Sequence, residues 1–452
     1  MFTAPDVTFL TPGDPGWDEG RQAWNLTVDQ RPAAVALPAS ARGVREAIRF
    51  ARKRGLQVAA QGPGHNPAPL GPLTGTVLVK TRAMQQVTID PVAKTAWAQA
   101  GAVWRDVTDA AAVHGLAALA GSAPGVGVIG YTIGGGISWL GRTYGLAASN
   151  VEAIELVTAD LRHVHADART EPDLFWALRG GGGSFGVVTA IKLRLFPITE
   201  VRAGQLWFPA EKALPVLQAW RELTQGDLPD EFGSAARLIR FPAVPAIPEH
   251  LRGRAFVILF VVHLGTSAEA DALLAPLRAL CPATDTVATM PVKDLGYLHM
   301  DPEEPAPSMS DALMLGSLTD EAIETLVRVV GPESGTPLLA AELFHLGGEM
   351  KRARPGHGAL AAIDADYALM PIGRAPTPQA ASAVTSGMAA VHAAMRPWAA
   401  SQLYLNLTDT SRDPASFWMP RVYDRLRRVK AAVDPDDVIR SNHPVPPIAQ
   451  DK

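Results

Sequence analysis

Apolar and polar positions alternate with helical and strand periods along most of the chain, and the changes of period divide it. Behind Ser40, the residues Val44, Ala47, Ile48 and Ala51 fall at i, i+3, i+4 and i+7 with polar residues opposite, and Gly55 stands where such a helix stops. The short apolar run 58–60 predicts a strand that delivers the chain to Gln61-Gly62-Pro63-Gly64-His65-Asn66. Segments 76–81, 86–90 and 95–99 predict short strands joined by turns. A second helix is predicted from Val103, with Trp104, Val107, Thr108 and Ala111 on one face, closing at His114-Gly115. His114 there suits the helix dipole and needs no catalytic role. Further on, 151–158 predicts a strand and 173–178 a helix, while Val187, Thr189, Ile191, Leu193 and Leu195 alternate as in a half-buried strand.

After Pro197 the texture changes. Strand-like segments at 255–264, 340–346 and 367–372 alternate with helical runs at 211–224, 267–280, 319–330 and 378–395, which predicts an antiparallel sheet backed by helices. The expected fold is α+β, with a boundary near 198. Residues 1–32 read as an irregular arm packed by Trp17 and Trp24, and the acidic, proline-rich 301–311 as a mobile surface loop.

Size and charge narrow the field. A chain of 452 residues is too long for one small core, and a net charge of -4 with no charge runs offers no field for nucleic acid. The single cysteine, Cys281, excludes an internal disulfide or multi-cysteine metal site and reads as a buried, inert thiol. No metal site is expected. The N-terminus lacks a basic stretch followed by an apolar core, and the apolar run 255–265 is too short to span a bilayer. A cytoplasmic protein without a membrane partner is the expectation.

The candidate chemistry lies in three glycine blocks: 61–66, 122–136 and 179–189. Glycines let backbone amides approach an anion closely, and His65 is the one strongly reactive side chain in the first block. Gly125, Gly127 and Gly130 fit the dinucleotide fingerprint, but Gly134, Gly135 and Gly136 follow where its helix should run, so the block reads as extended backbone. No Lys-Ser/Thr pair follows Gly180 to Gly183, which excludes a P-loop.

These blocks, in this order and with TAWAQAGAVWRDV and DLFWALRGGGG between them, resemble the FAD-binding half of the vanillyl alcohol oxidase superfamily, most closely the berberine-bridge-enzyme-like FAD-linked oxidases. The resemblance implies a two-part, PCMH-type FAD-binding domain at 1–198 and 401–452 with an inserted substrate domain at 199–400, and a late strand at 401–409 with Tyr404 and Asn406 on one face. It implies FAD joined covalently through its 8α-methyl carbon to His65, and held by Gln61, Gly62, Pro63, Gly64 and Asn66. From the second block it adds Gly121, Ser122, Pro124, Gly127, Val128, Gly130, Gly134 and Gly135, and from later segments Gly186, Val188, Asn406 and Asn442. Ala123 stands where doubly linked members carry a cysteine, so a single bond is implied. Met370 falls where members commonly place a Gln or Glu facing the ring, which leaves either Tyr404, Tyr131 or Asp366 to take the substrate proton or a hydride transfer that needs no strong base. The implied activity is oxidation of an alcohol, sugar or natural-product intermediate, a small molecule, with molecular oxygen reoxidising the flavin. A dehydrogenase with another acceptor, and a flavin or ligand binder without turnover, stay open. Composition does not speak to oligomeric state.

Overall fold

The computed structural model describes residues 2–4 and 6–449. Three sheets carry the fold. The first has six strands in the order Phe2–Ala4, Val7–Leu10, Ala34–Pro38, Thr76–Lys80, Gln57–Gln61, Ile439–Arg440. Helix Ala41–Arg52 covers it as the spacing predicts: Ser40 Oγ accepts from Gly43 N, the face Val44, Ala47, Ile48, Ala51 is fully buried, and Gly55 takes a φ of 65° after the last turn. Gln57–Gln61 runs parallel to both Thr76–Lys80 and Ile439–Arg440, and Val58 N donates to Val438 O at 2.8 Å, so the C-terminal segment closes this sheet.

The second sheet is antiparallel, in the order Val87–Asp90, Thr95–Gln99, Val187–Arg194, Val151–Val157, His163–Asp167. Val187–Arg194 is its middle strand and is buried on both faces apart from Lys192 and Arg194, so the half-buried expectation fails there. The third has nine strands, with Glu200–Pro209, Ala255–His263, Phe232–Arg240, Ala340–His345 and Tyr367–Arg374 adjacent in that order. Helices Ala213–Gln225, Ser267–Arg278, Asp320–Val330 and Pro378–Met395 cover one face, packing Trp220, Leu274, Ile323 and Met388 into a shared core with Leu259 and Leu369. The opposite face, with Ala235, Phe260 and Phe344, is turned toward Trp139 and Leu140 of the glycine-rich half. The α+β reading with an antiparallel, helix-backed sheet stands.

Several local readings do not. Phe2–Ala4 and Val7–Leu10 pair antiparallel in the first sheet, with Phe9 in its core, because Val7 and Phe9 alternate inward despite the prolines and glycines nearby. Residues 301–311 are not a free loop: Trp24 Nε1 donates to Glu303 O at 3.0 Å, Ala306 N to Trp24 O at 3.1 Å, and Arg237 reaches Asp301 at 3.3 Å. Segment 401–409 is not a strand, since Leu405–Leu407 forms a single tight helical turn. The block 122–136 is not extended throughout, because Val128–Ile133 is a six-residue helix. Cys281 is exposed, with a φ of 53°, on the turn after a helix. No helix among the described residues is long and apolar enough to cross a membrane, and no group of three or more His, Cys, Asp or Glu there is arranged to hold a metal ion.

Candidate active site

The three sheets meet around a cavity of about 380 Å³. One wall is the first glycine loop, and its placement begins with a buried cation. Lys80, opposite Gln61 in the parallel register, donates from Nζ to Gln61 Oε1 and to Gln22 O, both at 2.9 Å, and Gln61 Nε2 donates to Gln30 Oε1 at 3.1 Å. Burial lowers the Lys80 ammonium to about 8. Gly64 has a φ of 88°, and a Cβ there would lie 2.9 Å from the Gln61 amide carbon, so no larger residue fits the turn.

His65 projects onto the cavity wall with its ring stacked on Trp24, centroids 4.3 Å apart. Burial lowers its pKa to about 4, so it is neutral near pH 7. Its Nε2 lies 3.2 Å from Gly125 O. A carbonyl only accepts, so Nε2 carries the proton and Nδ1 keeps a free lone pair, which no described residue meets. Asn66 Nδ2 donates to Thr408 O at 3.0 Å while its Oδ1 is buried without a partner.

The second wall is the helix Val128–Ile133, begun by Gly127. Its Tyr131 packs edge-on to Trp104 at 5.2 Å, and the Tyr131 hydroxyl is buried without a partner. A Cβ on Gly121 would sit 2.8 Å from the Tyr131 ring, one on Gly127 2.8 Å from Pro63 Cδ, and one on Gly134 1.9 Å from Asn406 Oδ1. Asn406 Nδ2 donates to Tyr131 O at 2.8 Å and approaches the Tyr404 hydroxyl at 3.5 Å. Burial pushes both phenols up, Tyr131 most, so each stays protonated and neither is a ready base.

Gln61 to Asn66, Gly121, Ser122, Gly127, Gly130, Tyr131, Gly134, Gly186, Val188, Tyr404, Asn406 and Asn442 all border this one cavity, as the sequence reading grouped them. Four of its residues do not. Pro124 lies behind the wall, 3.6 Å from the Cβ position of Gly296, with its carbonyl taken by Arg105 N at 3.0 Å. Val128 is fully buried in the core of the second sheet, and Gly135 is covered by Tyr404 and Leu360. Asp366 pairs with Lys351 at the surface and is not a candidate base. Met370 is also off the wall. Its cross-strand partner Glu342 is a buried carboxylate bound by Arg237 at 2.7 Å and 2.9 Å from His299; burial opposes its ionisation, yet these neighbours hold it below the usual range.

Sequence reasoning missed Lys80, Trp24, Trp139, Arg142 and His345. Arg142 and His345 are 203 positions apart yet meet at 3.2 Å on the cavity wall, a pairing no local pattern announces.

Glycines whose Cβ positions are already filled, a histidine with one free ring nitrogen, and unpaired polar atoms at Asn66 and Tyr131 suit a flavin dinucleotide, and this fold with this site defines an FAD-dependent oxidoreductase. Residues 32–167 match the family described as an FAD binding domain, and 403–446 the one described as berberine and berberine like. The chain is 30% identical over 453 residues to (R)-6-hydroxynicotine oxidase of Paenarthrobacter nicotinovorans, covering 97% of this chain and 96% of that protein. It is 26% identical to xylooligosaccharide oxidase of Thermothelomyces thermophilus, over 93% of this chain and 88% of that one. Among solved structures, a berberine-bridge-enzyme-like protein of Physcomitrella patens superposes with a TM-score of 0.86 at 21% identity over 98% of both chains. The chain belongs to the berberine-bridge-enzyme-like FAD-linked oxidoreductases.

Proposed function

We propose that this protein is an FAD-linked oxidase with its flavin joined covalently to His65, acting on an alcohol, sugar or natural-product intermediate with dioxygen as electron acceptor. The observation that carries the tether is the tautomer: Nε2 is committed to Gly125 O, and Nδ1 is left as a nucleophile on the cavity wall. The names of relatives spanning nearly the whole chain, a hydroxynicotine oxidase and an oligosaccharide oxidase, support the oxidase reading. When bound, FAD supplies the hydride acceptor.

The chain's own residues bind, orient and shield. Lys80 and Gln61 brace the loop that presents His65, and Asn66, Ser122 and Asn442 offer polar atoms along the cavity. Tyr131 and Tyr404, both protonated, present hydroxyls that hydrogen-bond and position a substrate oxygen. Among the described residues no carboxylate lines the cavity. His345 cannot serve as base either: burial and the neighbouring Arg142 lower it to about 3, and its Nε2 already accepts from that guanidinium. The reaction therefore runs without a strong protein base, and kcat/KM should be nearly flat between about pH 5 and 8, with no His or carboxylate limb.

Screening alcohols and sugars for hydrogen peroxide release alongside flavin bleaching tests the reading. One substrate that bleaches the flavin and releases one peroxide per turnover is the expected result. Bleaching that persists in air would mean a dehydrogenase, and no bleaching by any compound a binding protein without turnover.

A further inference from the structure

The end of the cavity beneath the nine-stranded sheet has too many hydrogen-bond donors for the acceptors around it. Arg142, on the turn Gly141–Tyr144, is 7% exposed and borders the cavity. Its NH1 donates to Leu346 O at 2.6 Å and to His345 Nε2 at 3.2 Å. Its Nε is buried without an acceptor, and the nearest carboxylate oxygen to NH2, on Asp230, is 3.9 Å away, beyond hydrogen-bond reach. Because His345 Nε2 accepts, the imidazole proton sits on Nδ1, which is also buried without a partner. Trp139, on the same wall, has its Nε1–H in the same condition. His345 turns its ring toward Trp220 and Tyr367, centroids 6.5 and 5.6 Å away, but Arg142 Nε and Trp139 Nε1 are unsatisfied buried donors on residues of the cavity wall, costly unless a ligand brings acceptors.

The charge around them leans the same way. Asp230 is shared between Arg142 and Arg352, and Glu349 is taken by Arg352 and Arg354, so three guanidiniums face two carboxylates. A guanidinium does not shed its proton, so this cluster is left with a positive excess. The only other Arg or Lys on the wall among the described residues, Arg440, is held by Leu70 O beside Ser441 and Asn442, in the part of the cavity shared with the glycine loops.

We propose that the substrate carries a carboxylate, seated on Arg142 with the indole N–H of Trp139 as a further donor. Phe344 and Met350, on the same wall, suit an apolar or aromatic body attached to that carboxylate. This deepens the proposed function and rests on its reading of the protein as a flavin-linked oxidase, with the substrate held at this end of the cavity.

The test uses the purified flavin-loaded enzyme, with benzoate and its neutral isostere benzamide as probes, followed by perturbation of the flavin spectrum. Purification of colourless protein would refute the flavin reading itself before any probe is added, so the two failures are distinct. Benzoate should bind at least tenfold more tightly than benzamide, and Arg142→Met should remove that preference while flavin content is kept. Since Arg142 also anchors the Leu346 carbonyl, a second variant guards against misfolding: Asp230→Asn removes the competing carboxylate and should tighten benzoate severalfold, a gain that damage does not produce. Benzamide binding within twofold of benzoate, absence of binding by either, or an unchanged or weakened benzoate affinity in Asp230→Asn would overturn the proposal.

Discussion

Gly130 and Gly134 lie one turn apart, and a methyl group added to each should have opposite effects. Gly134 has a φ of -86° and a ψ of -4°, open to any residue, so only contact decides the outcome. Its Cβ would stand 1.9 Å from Asn406 Oδ1 and 2.8 Å from Asn406 Cγ, against an ordinary contact of 3.4–4 Å. The Asn406 amide must swing away, losing its bond to Tyr131 O, worth about 1 kcal/mol, and overpacking adds about 1–3 kcal/mol. Gly134→Ala should therefore destabilise the protein by about 2–4 kcal/mol even with no flavin present. At Gly130 nothing lies within 4 Å of the added carbon, which enters the cavity. Replacing a mid-helix glycine by alanine should stabilise the flavin-free fold by up to ~1 kcal/mol, yet lower flavin loading. Urea unfolding of flavin-free protein and the flavin-to-protein absorbance ratio give the two readouts. A Gly134→Ala protein as stable as the parent, or a Gly130→Ala protein that loads flavin fully, would refute this account of the wall.

Lys80→Met should leave stability lower by no more than about 3 kcal/mol, because stranding two acceptors, about 1–3 kcal/mol each, is offset by about 3 kcal/mol of relieved ammonium burial. Flavin incorporation should fall more visibly, since the Gln61 amide is released. Folded Lys80 has a pKa of about 8 against 10.5, so the unfolded chain holds the proton more tightly and stability should rise with pH across that window; urea midpoints at pH 8 and 10 should show the rise in the parent and not in Lys80→Met. Asp409 behaves in the opposite sense. Burial raises it to about 7 despite the bond from Ser310, so the folded state holds the proton more tightly and stability should fall as pH climbs from about 4 to 7. Allowing for its partial exposure, on the order of 2 kcal/mol is at stake, and Asp409→Asn should flatten that slope in urea titrations.

What could be read in advance follows how local the determining physics is. Helix Ala41–Arg52 was legible because its cap, apolar face and stop lie within sixteen residues, and the strands Ala255–His263, Ala340–His345 and Tyr367–Arg374 because each carries an apolar run, whereas Glu200–Pro209 and Phe232–Arg240 of the same sheet were not read. The glycine loop was legible for a related reason, since Gly64 needs a conformation that only glycine adopts freely. Val128–Ile133 went the other way. Flanking glycines argue against a helix on propensity, but Tyr131 locks it by filling the space left by Gly121 and Gly136, and tertiary packing overrides the weak local preference. Tyr404 and Asn406 were grouped on the cavity for the wrong reason: a tight turn, not a strand, turns both inward. Asp366 looked available because its partner Lys351 is fifteen residues away in an irregular stretch. Arg142 and His345 are 203 positions apart and meet only when the sheets close on one another.

The most direct measurement is acid precipitation of the purified native protein, with intact-mass analysis of the pellet. With Nδ1 of His65 as the attachment point, the yellow colour should stay with the polypeptide, the mass should exceed that of the chain by one FAD, and His65→Ala should release its flavin to the supernatant. Native protein that surrenders its flavin to acid and weighs no more than its sequence would contradict the tether.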